Sequence, residues 1–104
     1  MDYYYRPFPP ANPSILQKAA QKEMTLLEDV KTLLEKIAAS NQFSADIMNA
    51  AQESNSQKVE RLIRSSGVRN MPGVSYTPDG IRLNFSDELN GKECCQLNIK
   101  LRWR

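Results

Sequence analysis

The stretch VSYTPDGIRLNFSDELNGKECCQLNIKLRW, residues 74–103, decides the fold because its apolar residues recur at every second position. One alternating run begins at Ile81, and a second extends from Cys95 to Trp103. Strict alternation of apolar and polar residues is typical of a strand that buries one face. The C-terminal third of the chain is therefore predicted to be a sheet with one apolar side.

Two turn signals divide this stretch. The Thr-Pro-Asp-Gly motif at 77–80 has proline and glycine where a β-turn favours them, and residues 87–91 form a second turn that ends in Asn-Gly. The pattern predicts a three-stranded antiparallel meander, with strands at about 74–77, 81–86 and 94–102. A lone meander is marginally stable in water, so we expect helices to cover its apolar face.

The first half of the chain has helical periodicity instead. Positions that step by four and three from Leu16 to Ile37 are apolar apart from Glu23, and neither glycine nor proline interrupts the segment. We expect a long amphipathic helix at about 14–39, followed by a helical hairpin with helices at about 42–53 and 56–65. The predicted fold class is α+β, in which the long N-terminal helix and the hairpin pack on the small three-stranded antiparallel sheet.

Residues 1–12 differ in composition from the rest of the chain. Three tyrosines and a phenylalanine stand among prolines, which disfavour helix and favour extended backbone. This segment is either a loose tail, as chain ends commonly are, or an arm that docks on its own domain or on a partner. Residues 13–104 are then a single domain. The aromatic residues of the arm are Tyr3, Tyr4, Tyr5 and Phe8.

The composition narrows the classes of function. The 104 residues include 14 Lys+Arg and 12 Asp+Glu, and a net charge of only +2 makes nucleic acid an unexpected partner. Histidine is absent, which removes Ser-His and Cys-His catalysis and histidine metal ligands. We predict a non-enzymatic protein with no catalytic, cofactor-binding or metal-binding residues, no cofactor and no small-molecule substrate.

Targeting signals are not evident in the sequence. The N-terminus lacks a basic region followed by an apolar run, and no stretch approaches the ~20 apolar residues of a membrane span. We therefore expect synthesis in the cytoplasm and no membrane span.

The two cysteines are adjacent, at Cys94 and Cys95. Neighbouring residues of a strand point to opposite faces, so a disulfide between them would need a strained local turn. Two thiolates alone do not complete a tetrahedral zinc site. We expect one buried thiol and one exposed thiol, with Cys94 as the exposed one. A redox or cross-linking role for the exposed thiol is the alternative to a purely structural role.

Two surfaces are candidates for interactions. The stripe of the long helix, with Leu16, Leu27 and Leu34, is either core or a seam for a second copy or another helix. Basic residues of the exposed sheet face are either a surface for anions or charged polymers, or a solvated face that protects the sheet from aggregation. These basic residues are Arg82, Lys100 and Arg102.

Two resemblances add to this interpretation. Residues 47–68 resemble a single ankyrin-type helix hairpin, but the Thr-Pro-Leu-His turn and a second copy are missing. The Tyr/Pro-rich start, the charged helix, the Tyr-Thr-Pro-Asp-Gly-Ile-Arg-Leu segment at 76–83 and the Cys-Cys…Leu-Arg-Trp ending resemble small uncharacterised sporulation and spore-coat-associated proteins of spore-forming Firmicutes. That second resemblance implies a structural or accessory component of the developing spore, such as its coat, and implies no catalytic residue.

Three functions follow from these observations. The first is a structural or assembly protein that makes contacts with itself or a protein partner through the arm and the helix stripe. The second is a cytoplasmic adaptor or regulator that binds a folded protein through the helix hairpin. The third is weak binding of nucleic acid or an anionic polymer by the basic sheet face.

Overall fold

The fold is α+β, as predicted, in a computed structural model that describes residues 11–104. Three helices precede three strands, and the first helix is the longest. In chain order the elements are α1 (Ser14–Ala39), α2 (Asn41–Gln52), α3 (Ser56–Ser65), β1 (Gly73–Thr77), β2 (Gly80–Leu89) and β3 (Lys92–Arg102).

Side-chain caps set where the second and third helices begin. The Ser40 hydroxyl accepts a hydrogen bond from the Phe43 N–H at 3.1 Å, and the Asn55 side chain accepts one from the Lys58 N–H at 3.1 Å. Such caps satisfy N–H groups that have no partner inside the helix. They lie in the short connections between α1 and α2 and between α2 and α3 and mark where each new helix begins.

The sheet is antiparallel in the order β1-β2-β3. Leu83 of β2 lies opposite Val74 on one side and Ile99 on the other, so apolar residues of all three strands share one face. Gly80 begins β2 where a Cβ atom would overlap the carbonyl oxygen of Leu101, which explains why a residue without a side chain is needed there.

The core lies between the apolar face of the sheet and the three helices. The second half of α1 supplies much of it, and the first fully buried residue of that helix is Leu26. The buried apolar residues are Leu26, Val30, Leu33, Phe43, Ile47, Ala50, Ala51, Val59, Ile63, Ile81, Leu83 and Phe85.

The predicted turn over residues 87–91 is wrong in its extent. β2 continues through Leu89, and the reversal is confined to Asn90 and Gly91, whose φ angles are 54° and 79°. Two consecutive positive φ angles are typical of a tight hairpin turn, and Asn-Gly is a favoured pair for it. The acidic residues before this turn are poor strand formers, but pairing with β3 keeps them in the sheet.

A β-bulge interrupts the β2–β3 ladder near this turn. Asp87 pairs with Cys95, whereas Glu88 pairs with Glu93, so Cys94 is an extra residue with no partner on β2. A bulge of this kind bends the strand and breaks the strict alternation of faces.

A buried carboxylate ties the loop after α3 to α1. Asp29 is buried, and its two oxygens accept hydrogen bonds from the backbone N–H groups of Arg69 and Asn70 at 3.1 and 3.0 Å. The Arg69 guanidinium also reaches Glu28 at 2.9 Å and Asp29 at 3.4 Å. Hydrogen bonds with both carboxylates raise the pKa of Arg69. This group, which the sequence analysis did not single out, fixes the path of the chain into β1.

Candidate functional site

The N-terminal part of α1, from Ile15 to Leu27, exposes large apolar side chains, which we call the α1 patch. The exposed fraction is 74 % for Leu16, 59 % for Met24, 52 % for Ile15 and 49 % for Leu27. Leu16, Met24 and Leu27 share one side of the helix, whereas Ile15 lies on a different side. Scattered exposed leucines are ordinary on protein surfaces, but a contiguous apolar group on one side of a helix is typical of an interaction surface. The α1 patch is therefore the main candidate for a contact with another molecule.

The α1 patch is exposed because no other element of the described chain covers its side of the helix between Leu16 and Leu27. No residue of α1 before Leu26 is buried. Leu16, Ala20, Met24 and Leu27 follow each other at spacings of four, four and three, which places them on one side of the helix. All four are exposed.

The structure separates the residues of the predicted stripe. Leu16 and Leu27 belong to the α1 patch, whereas Leu34 is partly buried and packs against the core. The predicted aromatic residues of the arm, Tyr3, Tyr4, Tyr5 and Phe8, lie outside the described residues. The sequence period alone did not divide the stripe, because both halves of the helix carry leucines at helical spacing.

The predicted basic residues lie together on the outer face of the sheet. Arg82 is directly opposite Lys100 in the β2–β3 register, and both are exposed together with Arg102. Like charges in directly opposite positions repel each other. Within residues 11–104, none of the three side chains forms an ion pair with a carboxylate. Binding of an anionic polymer to this face stays a prediction.

The cysteine pair differs from the expectation. Cys94 and Cys95 are both partly buried, so neither is the fully exposed thiol, and their sulfur atoms lie 3.1 Å apart. The bulge is the reason, because Cys94 is the extra residue that interrupts the alternation of β3. Nothing in the local sequence signals a bulge at this position.

Acidic side chains surround the thiol pair. Burial and the neighbouring Cys94 thiol raise the pKa of Cys95 to about 11, and the carboxylates of Glu23 and Asp87 act in the same direction. Asp87 also lies 3.6 Å from the Lys22 ammonium group. Glu23 has one carboxylate oxygen that is out of contact with solvent and has no hydrogen-bond partner among the described residues. The Cys95 thiol is therefore protonated at neutral pH.

An apolar cavity lies between the helices and the sheet. Its volume is about 240 Å³, and apolar side chains of all three helices and of β2 and β3 form most of its lining. Ser44 and Arg102 are the polar residues that reach it. Its lining holds no carboxylate and no thiol, so the described residues offer no acid–base pair there.

The described part of the chain lacks a metal-binding cluster and a membrane-spanning helix. Across residues 11–104, no three histidine, cysteine, aspartate or glutamate side chains are grouped as a metal ion would require. In the same range, no helix combines the length and the apolar content needed to cross a membrane.

Comparisons with known proteins point to one family. The family model described as YuzC spore coat inner layer protein matches residues 13–96, which include the α1 patch and the cysteine pair. The protein called "Uncharacterized protein YuzC" from Bacillus subtilis (strain 168) is 31% identical over 97 residues, covering 93% of this chain and 75% of the relative. No solved structure matches the chain.

Proposed function

The chain belongs to the family of YuzC spore coat inner layer proteins, and from this premise we propose that it is a non-enzymatic coat component that assembles with itself through the α1 patch. Membership of the family confirms the resemblance to spore-coat-associated proteins that the sequence suggested. A spore-associated structural protein follows from the family description, and the surface that makes the contacts is our proposal.

The exposure of the α1 patch is the observation that carries this proposal. Leu16, Ala20, Met24 and Leu27 form one apolar stripe about three helical turns long, roughly 16 Å. A stripe with spacings of four and three is the kind of surface that packs against another helix. Covering it would remove from water three of the four large exposed apolar side chains of the described residues.

A second copy of this chain is the partner that we infer. Two copies of α1 in an antiparallel arrangement place each stripe against its own duplicate, so a single surface is sufficient for a two-fold contact. A coat layer is built from many molecules, and a contact between identical copies suits that role. The predicted aromatic arm leads directly into α1 in the sequence, which supplies more apolar side chains next to the patch in the chain.

The solution mass of the native particle tests this proposal. We expect the full chain to be a dimer or larger species in sedimentation or light-scattering measurements, and the double variant Leu16→Glu/Leu27→Glu to be monomeric. The matched control is Gln17→Glu/Gln21→Glu, which adds the same charge at exposed positions of α1 outside the stripe. A monomeric wild-type chain at all concentrations, or equal dissociation of the control, would contradict the proposal.

A second variant separates the arm from the patch. Replacing Tyr3, Tyr4, Tyr5 and Phe8 by serine in the full chain leaves α1 unchanged. If the arm takes part in the contact, we expect the dissociation constant of the particle to rise while the particle still forms. An unchanged constant would assign self-association to the α1 patch alone.

A further inference from the structure

We propose that Cys94 and Cys95 form a redox modification site, at which the thiol pair reacts with low-molecular-weight disulfides and closes to a reversible disulfide between neighbouring residues. The inference does not depend on self-association through the α1 patch, because the pair lies in β3 and its chemistry is confined to one chain.

The geometry of the bulge carries this proposal. In a regular strand, side chains of adjacent residues point away from each other. Here the extra residue Cys94 brings its sulfur atom to 3.1 Å from that of Cys95. A disulfide bond is about 2.0 Å long, so closure requires the sulfur atoms to approach by only about 1 Å. The chain has two cysteines, and each is therefore the sole intramolecular partner of the other.

The surroundings of the pair assign the order of attack. Both thiols are partly exposed, which admits a small reagent. The pKa of Cys95 is raised to about 11, so this residue is a thiol at neutral pH and a poor first nucleophile. Glu23 from α1 and Asp87 from β2 add negative charge that disfavours its thiolate. Cys94 is thus the residue that reacts first.

The reaction balances without a metal or an enzyme. Cys94 gives up its proton, and its thiolate attacks one sulfur of the small disulfide, which forms a mixed disulfide and releases one small thiolate that takes up a proton. The Cys95 sulfur then gives up its proton to solvent and attacks the Cys94 sulfur, which releases the second small thiolate, and this also takes up a proton. The protein loses two hydrogen atoms, that is, two protons and two electrons, and one small disulfide is reduced to two thiols.

The product is expected to be easily reduced. Cα atoms of adjacent residues are about 3.8 Å apart, which is shorter than the roughly 4.4–6.8 Å of ordinary disulfides. Such a bond is strained, and strained disulfides have more oxidising potentials than structural ones. The site is therefore suited to reversible modification rather than to a permanent cross-link.

Intact-mass measurement after treatment of the folded full chain with oxidised glutathione tests the proposal. We expect the wild type to lose the mass of two hydrogen atoms without a lasting adduct, and to recover its original mass with dithiothreitol. The Cys95→Ser variant should keep one glutathione, because the resolving thiol is missing. The Cys94→Ser variant is the matched control and should react more slowly, since only the thiol of raised pKa remains. A stable glutathione adduct on the wild type, chains linked to each other, or no reaction would each overturn the proposal.

A second measurement separates the folded geometry from mere adjacency in sequence. In denaturant the bulge is lost and the pKa of Cys95 falls toward its ordinary value, so each rate of closure is divided by the fraction of Cys95 present as thiolate. We expect this corrected rate to be about tenfold lower in the unfolded chain, because the sulfur atoms are no longer held together. Equal corrected rates in the folded and unfolded chain would show that the bulge contributes nothing to the site.

Discussion

The two halves of α1 have similar sequences and opposite surroundings. Residues 26–39 carry Leu26, Val30 and Leu33, which are buried under the sheet and the helix hairpin. Residues 14–25 hold apolar side chains at the same spacing, yet none of them is buried. An amphipathic pattern therefore identifies a face that favours contact, but the pattern does not say whether the contact is within the molecule.

Two neighbouring leucines at the boundary between the halves show that the side of the helix matters as well as the position along it. Leu26 has 0 % of its surface exposed and Leu27 has 49 %. One residue along a helix is a rotation of about 100°, which is enough to move a side chain from the core to solvent. Four predictions use this comparison, and they run from the largest expected effect to the smallest.

The first prediction contrasts a leucine from each half. Leu33→Ala should lower the free energy of unfolding by about 3 kcal/mol, because it leaves a cavity in the core. Leu16→Ala should change it by less than about 0.5 kcal/mol, because that side chain is exposed. Denaturant unfolding at a concentration where the chain is monomeric measures both. Equal losses would show that the first half of α1 is covered within the molecule after all.

The second prediction concerns how the buried half of α1 holds the loop. Asp29→Ala should lower the free energy of unfolding by about 2 kcal/mol, because the backbone N–H groups of Arg69 and Asn70 lose their acceptor. Asp29→Asn keeps one acceptor oxygen and should cost about half as much. The same unfolding assay compares them. If both variants are as stable as the wild type, the carboxylate does not anchor this loop.

The third prediction tests whether the exposed half opens independently. Lys31 lies beside buried residues, so Lys31→Gly should lower the global free energy of unfolding by about 1 kcal/mol. Ala20→Gly should instead speed amide hydrogen exchange within residues 14–25 and leave global stability nearly unchanged, because that half makes few core contacts. Similar global losses from both glycines would mean that α1 unfolds as one unit.

The fourth prediction uses Glu23, a side chain of the exposed half whose charge acts on the sheet. In a Cys94→Ser background, Glu23→Gln should lower the pKa of Cys95 by a fraction of a pH unit, because a nearby negative charge disfavours the thiolate. The pH dependence of alkylation of Cys95 by iodoacetamide reports this pKa. Gln21→Glu, elsewhere on α1, is the control and should leave it nearly unchanged. An identical profile for Glu23→Gln would place Glu23 too far from the thiol to matter.

Raising the pH should also weaken the fold through Cys95. Its pKa is about 11 in the folded chain and about 8.5 for an ordinary thiol. Between these values the unfolded chain has lost a proton that the folded chain keeps, so the stability contributed by this thiol falls as the pH rises through that window. Cys95→Ser should lack this part of the pH dependence in the same unfolding assay.

Much of the sheet could be predicted because its signal is local. Ile81, Leu83 and Phe85 alternate with polar residues, and the structure buries all three. The hairpin turn was placed too broadly, because Asp87 and Glu88 have low strand propensity and the pairing that keeps them in β2 comes from β3. Long-range pairing outweighed local preference there.

The candidate sites were predicted less completely. Leu16 and Leu27 were named as interaction residues, but the extent of the α1 patch, with Ile15 and Met24, depends on where the sheet ends. The two thiols come close together because of a bulge in β3. No local sequence motif indicates that Cys94 is the extra residue of this bulge. The Asp29 anchor joins residues about forty positions apart, a separation over which sequence periodicity gives no information.

The sequence by itself determined the class of fold and the side of each element that is apolar, because period 3.6 and period 2 are properties of neighbouring residues. Only the tertiary structure decided which part of the apolar side becomes core. The sheet and the hairpin bury side chains of α1 from Leu26 onward, the sheet also reaches Lys22, and Leu16 stays in solvent. Which residues of α1 are covered depends on how far the sheet and the hairpin extend along the helix. That extent is a property of the assembled chain, and no single segment of the sequence determines it.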